Sequence, residues 1–273
     1  MSLKDMLVLV GDGTEAAGRY ARWLSGACGA HLTAAAAVVE PHFPVNLEST
    51  VPKALVRQLW EEADRSADGV LRGFSETARL EGVTAETLKF EAAPGRGADA
   101  LSRLARCFDA TILQQSDPAG VGTGDILEAT LFGSGRPVII IPYIHKIPKL
   151  KCVLIAWDGG ATAARAVADS LPLLALASEV HIVTSADRRA EDKLVSGAAL
   201  ARHLGRHGIT AVPKSLPGSA REVAPMLLSD AADVGADLIV MGGYGHSRMR
   251  ELVLGGTTRE ILHSMTVPVL MSH

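Results

Sequence analysis

Apolar residues fall along this chain in short continuous runs, separated by longer stretches in which they recur at helical spacing. The first run, Leu7-Val8-Leu9-Val10, ends in Gly11-Asp12-Gly13 and gives way to an Ala- and Arg-rich segment. Apolar runs of about four to eight residues bounded by turn residues suit strands buried on both faces, and a 3.6-residue period marks amphipathic helices. This pattern predicts strands near 6–11, 31–38, 83–91, 110–115 and 137–141, with helices near 14–28, 53–80, 97–107 and 124–132. A second series follows, with strands near 151–157, 179–184, 209–215, 236–241 and 267–271 and helices near 161–176, 189–207, 219–234 and 256–264. Strands that alternate with helices in this way imply parallel sheets joined by right-handed crossovers.

The two series repeat one another. Leu7 to Gly13 is echoed by Val153-Leu154-Ile155-Ala156-Trp157-Asp158-Gly159. Ala110-Thr111-Ile112-Leu113 is echoed by Ala236 to Met241, and Arg136-Pro137-Val138-Ile139-Ile140-Ile141 by Val267-Pro268-Val269-Leu270-Met271. Three matches in the same order, each at a strand, point to duplication. The segment Pro142 to Pro148 carries a proline at each end and reads as the linker, dividing the chain into 1–146 and 147–273. A proline opening the last strand of each half suits a strand start or a sheet edge. An edge as apolar as Val138-Ile139-Ile140-Ile141 would aggregate if left bare. Its expected cover is the equivalent strand of the other half. The predicted fold class is therefore α/β, with two tandem five-stranded doubly wound parallel-sheet domains forming an intrachain pseudo-dimer.

Composition agrees with that picture. Hydrophobic residues make up 48% and aromatics only 4%, so the core is aliphatic. A net charge of −3 offers no basic field, and neither a nucleic-acid nor a membrane partner is expected. The longest apolar run, around Val138 to Ile144, is broken by Pro142 and falls short of the roughly 20 residues a membrane helix needs. No signal-like segment precedes the first strand. Cys28, Cys107 and Cys152 are odd in number and widely spaced, against a disulfide framework. A reduced, cytoplasmic protein is the expectation.

The chemistry concentrates after the strand that ends at Met241. There the chain reads Gly242-Gly243-Tyr244-Gly245-His246-Ser247-Arg248, and later Gly255-Gly256-Thr257-Thr258 at the start of a predicted helix. Glycines at the carboxyl end of a strand permit close backbone approach, and a helix N-terminus offers unpaired N–H groups to an anion. The spacing Gly242-x-x-Gly245, nine residues, then Gly255 resembles the nucleotide loop of the universal stress protein family. Gly245-His246-Ser247-Arg248, the terminal Val267-Pro268-Val269-Leu270 and the Asp-Gly pairs after the first strand of each half are also similar to that family. The resemblance implies an adenine nucleotide, ATP or related, held with Mg over the strand ends. It places Asp158 on the nucleoside, backbone near Thr184 or Ser185 by the base, and Gly242, Gly245, Gly255, Gly256 and Thr257 on ribose and phosphates. His246 borders the same loop as a candidate phosphate contact. Two positions depart from the family: Gly256 stands where Ser or Thr is usual, and Trp157 fills a slot commonly small. A lost hydroxyl donor is worth about 0.5–1.5 kcal/mol, more toward a charged phosphate. Trp157 can either stack on a base or block it.

In the first half the corresponding segment, Gln114 to Asp125, lacks the glycine pattern, and Asp117 would set a negative charge beside phosphate. That half reads as degenerate for ATP. His203 and His207 share a helix face but lack a third ligand in the sequence. No nucleophile elbow and no P-loop lysine occurs, so no catalytic residue is assigned and turnover is expected to be at most a weak ATPase. Three readings stand: a nucleotide-responsive stress protein, an interaction module that binds no nucleotide, and a slow ATPase of the same fold. Assembly of two chains into a homodimer is left open.

Overall fold

The computed structural model describes residues 3–39, 51–92, 96–115, 124–185, 194–216, 223–244 and 256–273. The first half contributes β1 (Asp5–Leu9), α1 (Glu15–Cys28), β2 (His31–Val39), α2 (Lys53–Leu80), β3 (Ala85–Ala92), α3 (Gly97–Ala105), β4 (Ala110–Gln114), α4 (Gly124–Gly133) and β5 (Val138–Ile141). The second contributes β6 (Cys152–Ala156), α5 (Ala161–Leu174), β7 (Glu179–Ser185), α6 (Gly197–Arg206), β8 (Ala211–Leu216), α7 (Val223–Asp233), β9 (Leu238–Gly242), α8 (Gly256–Ser264) and β10 (Val269–Ser272). Each predicted element is present. The main shift is at α6, predicted from 189, where Ser196 caps the helix by accepting the Ala199 N–H at 3.2 Å. Leu194 and Val195 fit a helical spacing but lie before that cap, and 186–193 lie outside the described residues.

All ten strands join one sheet in the order β3-β2-β1-β4-β5-β10-β9-β6-β7-β8. Each half has the same doubly wound order, and every pairing within a half is parallel. The halves meet where β5 runs antiparallel to β10, with Ile140 opposite Val269, Ile139 opposite Leu270 and Val138 opposite Met271. This is the cover expected for the apolar last strand, and it makes the chain an intrachain pseudo-dimer. Pro137 and Pro268 precede the two strands, and each still lends its carbonyl to the ladder.

Helices α1, α2, α5 and α6 cover one face of the sheet, burying Tyr20, Leu71, Val167 and Leu204 with Ile139 and Ile155. Helices α3, α4, α7 and α8 cover the other, burying Leu101, Leu131, Leu227 and Ile261 with Ile140 and Leu154. With both faces covered, the central strands read as near-continuous apolar runs rather than alternating ones. No helix among the described residues is long and apolar enough to cross a membrane.

A structural repeat lies beneath the sequence repeat. Asp109, just before β4, accepts the N–H groups of Lys4 and Asp5 at 2.7 and 3.0 Å. Asp237, just before β9, accepts those of Lys151 and Cys152 at 2.8 and 3.1 Å. Each aspartate thus ties the start of its half's first strand to the fourth. The linker is clasped by Arg19, whose Nη1 donates to the carbonyls of His145 and Lys146 at 3.1 and 2.9 Å.

Candidate functional site

In a doubly wound sheet, ligands collect at the carboxyl ends of the two strands where the winding reverses. In the second half those strands are β6 and β9, paired at Ala156 and Met241. The next residues, Trp157-Asp158 and Gly242, therefore flank the crevice. Asp158 Oδ1 accepts the Gly160 N–H at 2.8 Å, and Gly159 adopts φ +73°, so the chain turns sharply into α5. Gly242 is where α5 comes closest. A Cβ at Gly242 would lie 2.5 Å from Thr162 Oγ1 and 2.6 Å from the Ala163 backbone nitrogen. The N-terminal turn of α5 is thus seated directly on the end of β9, its N–H groups facing the crevice.

A second helix start reaches the same place. Gly256 opens α8, and Thr258 Oγ1 accepts the Tyr244 N–H at 3.4 Å, tying α8 to the strand end. Thr257 is half-buried and Gly256 exposed, with open space around a Cβ there. Gly245, His246 and Gly255 lie outside the described residues, as do Arg248 and Arg250. Tyr244 holds φ +53° although it carries a side chain, and the other half of the chain supports it. Its hydroxyl donates to Glu128 Oε1 at 3.1 Å and its ring packs on Phe132, 5.0 Å between centroids. Burial and then the Glu128 carboxylate push the phenol's pKa well above its ordinary value. Gly243 gives room to Leu131, whose Cδ2 would lie 2.7 Å from a Cβ there. Sequence reasoning missed this support, since Glu128, Leu131 and Phe132 stand more than a hundred residues from the loop.

The Trp157 indole lies on the side of the crevice toward β7. Trp157 Nε1 donates to the Val195 carbonyl at 2.7 Å, and Val195 Cγ2 would be 2.9 Å from a Cβ on Gly159. The indole therefore bridges the ends of β6 and of the segment before α6. Ser185 ends β7 half-buried, opposite Leu216 of β8.

The first half makes the same turn, with Gly13 at φ +74°, but fills the crevice. Gln114 holds the place of Gly242. Its Oε1 accepts the N–H groups of Ala16 and Ala17, the first turn of α1, at 3.0 and 3.2 Å, while its Nε2 donates to the Gly13 carbonyl. The backbone donors that would greet an anion are already used. Asp117, Gly120 and Gly122 lie outside the described residues. Gln114→Ala is expected to destabilise the chain by about 1–2 kcal/mol, the scale of a lost helix cap. A urea midpoint equal to that of the unmodified chain would show that Gln114 does not hold these donors.

The His203 and His207 rings lie 4.9 Å apart on and just beyond α6, and among the described residues no third ligand joins them.

Residues 149–273 match the universal stress protein family. The second half is a universal stress protein domain. Across a longer stretch, the chain is 29% identical over 178 residues to a universal stress protein from Synechocystis sp., covering 63% of this chain and 60% of that protein. The match thus spans about three fifths of the curated relative's length. A universal stress protein from Archaeoglobus fulgidus has the same fold over 98% of this chain and 97% of its own, at a TM-score of 0.76 and 18% identity. The cytoplasmic domain of a prokaryotic cation chloride cotransporter aligns over 99% of this chain and 96% of its own, at 0.56 and 13%. At these identities the likeness shows the fold, and it extends over both halves rather than the universal stress protein domain alone.

Proposed function

We propose that the second half, taken as residues 147–273, binds ATP or a related adenine nucleotide with Mg, and that the first half, 1–146, supports that site without binding nucleotide itself. The observation that carries this reading is Gly242 at the winding reversal, where the absent Cβ lets the α5 N-terminus meet the strand end. Two helix N-termini, α5 and α8, then face one crevice, an arrangement suited to phosphate. In this reading Asp158 and the end of β7 at Ser185 border the nucleoside, and Gly242, Gly245, Gly255, Gly256 and Thr257 border ribose and phosphates, with His246 beside them. The occupied state acts through partner contacts or regulation rather than rapid turnover, in keeping with a sequence that carries neither a P-loop lysine nor a nucleophile elbow.

Isothermal titration of the full chain with Mg-ATP tests the reading directly. Heat of binding is expected, and Gly256→Ser, which meets open space, is expected to tighten it by up to about tenfold by adding one charge-assisted donor. Absence of heat in both forms would overturn the proposal.

The Trp157 bridge to Val195 favours a second reading, a module that binds partners without nucleotide, because the indole occupies the approach to the end of β7. Purified chain that carries nucleotide by mass spectrometry would eliminate this second reading.

A further inference from the structure

The amino ends of β6 and β7, at the pole of the sheet opposite the crevice, bring together three side chains of different donor type. Cys152 and Glu179 are the first residues of their strands and sit directly side by side, and His181 follows two residues after Glu179. Two-residue alternation sends all three to the face covered by α7 and α8. We propose that Cys152, Glu179 and His181 bind a divalent cation of borderline softness, with Zn2+ the best match.

The ligand atoms already lie within 4.8 Å of one another, and among the described residues this is the one such three-membered group. Tetrahedral zinc with sulfur, nitrogen and oxygen ligands at about 2.0–2.3 Å needs those atoms about 3.5 Å apart. Small rotations close that gap. Glu179 is exposed and free to swing, and His181 Nε2 is 3.9 Å from Glu179 Oε2. Cys152 is buried at a strand start whose backbone N–H is held by Asp237 Oδ2 at 3.1 Å. A thiolate, an imidazole and a carboxylate leave the fourth position to solvent on the exposed side. Softness argues against Mg or Ca, which prefer all-oxygen cages.

The local charge also favours a cation. The Glu179 carboxylate belongs to the site itself, and the Asp237 carboxylate is held beside it on the Lys151 and Cys152 N–H groups. The Lys149 ammonium is engaged with Asp237 Oδ1 at 2.7 Å, which limits its repulsion of a metal. The first half shows what the same place becomes without a thiol. There Asp5 and His31 hold the equivalent positions, and His31 uses both ring nitrogens, on Asp5 at 3.2 Å and Glu86 at 3.4 Å. His181 has Thr33 as its counterpart there, so the first half carries neither the thiol nor an imidazole two residues further along the second strand.

Full-length protein stripped by chelator and titrated with Co2+ provides the test. One equivalent is expected to raise a thiolate-to-cobalt charge-transfer absorption that Zn2+ then bleaches. Cys152→Ser should abolish the band. Glu179→Gln, at an exposed position, should keep native circular dichroism and weaken metal affinity at least tenfold. His203→Ala and the Cys28→Ser, Cys107→Ser double variant should leave the band unchanged. No band in the unmodified chain, a band that survives Cys152→Ser, or affinity unaltered in Glu179→Gln would overturn the proposal.

Discussion

Gly242→Ala is expected to lower unfolding free energy by about 3 kcal/mol, the upper part of the range for overpacking a tight site. The new methyl would lie 2.5 Å from Thr162 Oγ1, 2.6 Å from the Ala163 nitrogen and 2.8 Å from the Thr162 carbonyl carbon. Two of those three atoms are backbone, so relief requires moving the start of α5 off the sheet rather than turning a side chain. The same displacement removes the α5 N–H groups from the crevice, and Mg-ATP binding, as proposed, is expected to fall at least tenfold. Gly243→Ala meets only Leu131 side-chain atoms, the nearest at 2.7 Å, and Gly256→Ala meets nothing within 4 Å. The expected order of destabilisation is therefore Gly242, then Gly243, then Gly256. Urea unfolding of the three variants checks it. A Gly242→Ala chain as stable as the Gly256→Ala chain would show that α5 is not seated on β9 as described.

The architecture was legible because parallel strands covered on both faces leave an unbroken apolar signature. Val138 to Ile141 and Val153 to Ile155 read as strands on composition alone, and the proline ahead of each final strand pointed to the central pairing. Local chemistry was less legible at α6, where Leu194 and Val195 continued a helical spacing that Ser196 ends by capping. The site was visible in part. Gly242 stood out through its spacing from Gly245 and Gly255, but its physical reason, the Thr162 and Ala163 contact, depends on a helix about eighty residues earlier. Gln114 gave no sequence signal as a plug, because its partners Ala16 and Ala17 are nearly a hundred residues away. For Trp157 the sequence left stacking and blocking both open, and the indole's bond to the Val195 carbonyl could be found only in three dimensions.

The asymmetry of the two halves has a common physical thread. The positions after β4 and β9 each meet the last helix of the opposite half. In one direction Gln115 Nε2 donates to the Leu262 and His263 carbonyls at 2.8 and 3.1 Å, closing the end of α8. In the other, Gly243 and Tyr244 receive Leu131, Phe132 and Glu128 of α4. The first half has exchanged glycines for glutamines that hydrogen-bond to helix ends. Its own crevice is filled, and Gly243-Tyr244 of the second half is braced in return.

Asp237→Asn is expected to cost about 1–3 kcal/mol at neutral pH, because it weakens two charge-assisted backbone bonds at a buried position and removes the attraction of the solvent-exposed Lys149 ammonium. The buried carboxylate is acted on in opposite directions. Burial raises its pKa, but the Lys149 ammonium and the N–H groups of Lys151 and Cys152 outweigh this and hold it below the ordinary aspartate value. A group with a depressed folded pKa contributes its stability above the unfolded value, about 3.9. That contribution is then lost as pH falls through the folded value. The gap between unmodified and Asp237→Asn chains in urea midpoint should therefore be full at pH 7 and shrink below about pH 4. Asp109→Asn should cost less, since Asp109 makes the same two backbone bonds from a half-buried position. A gap that widens toward acid would mean that burial, rather than Lys149 and the two N–H donors, governs the Asp237 carboxylate.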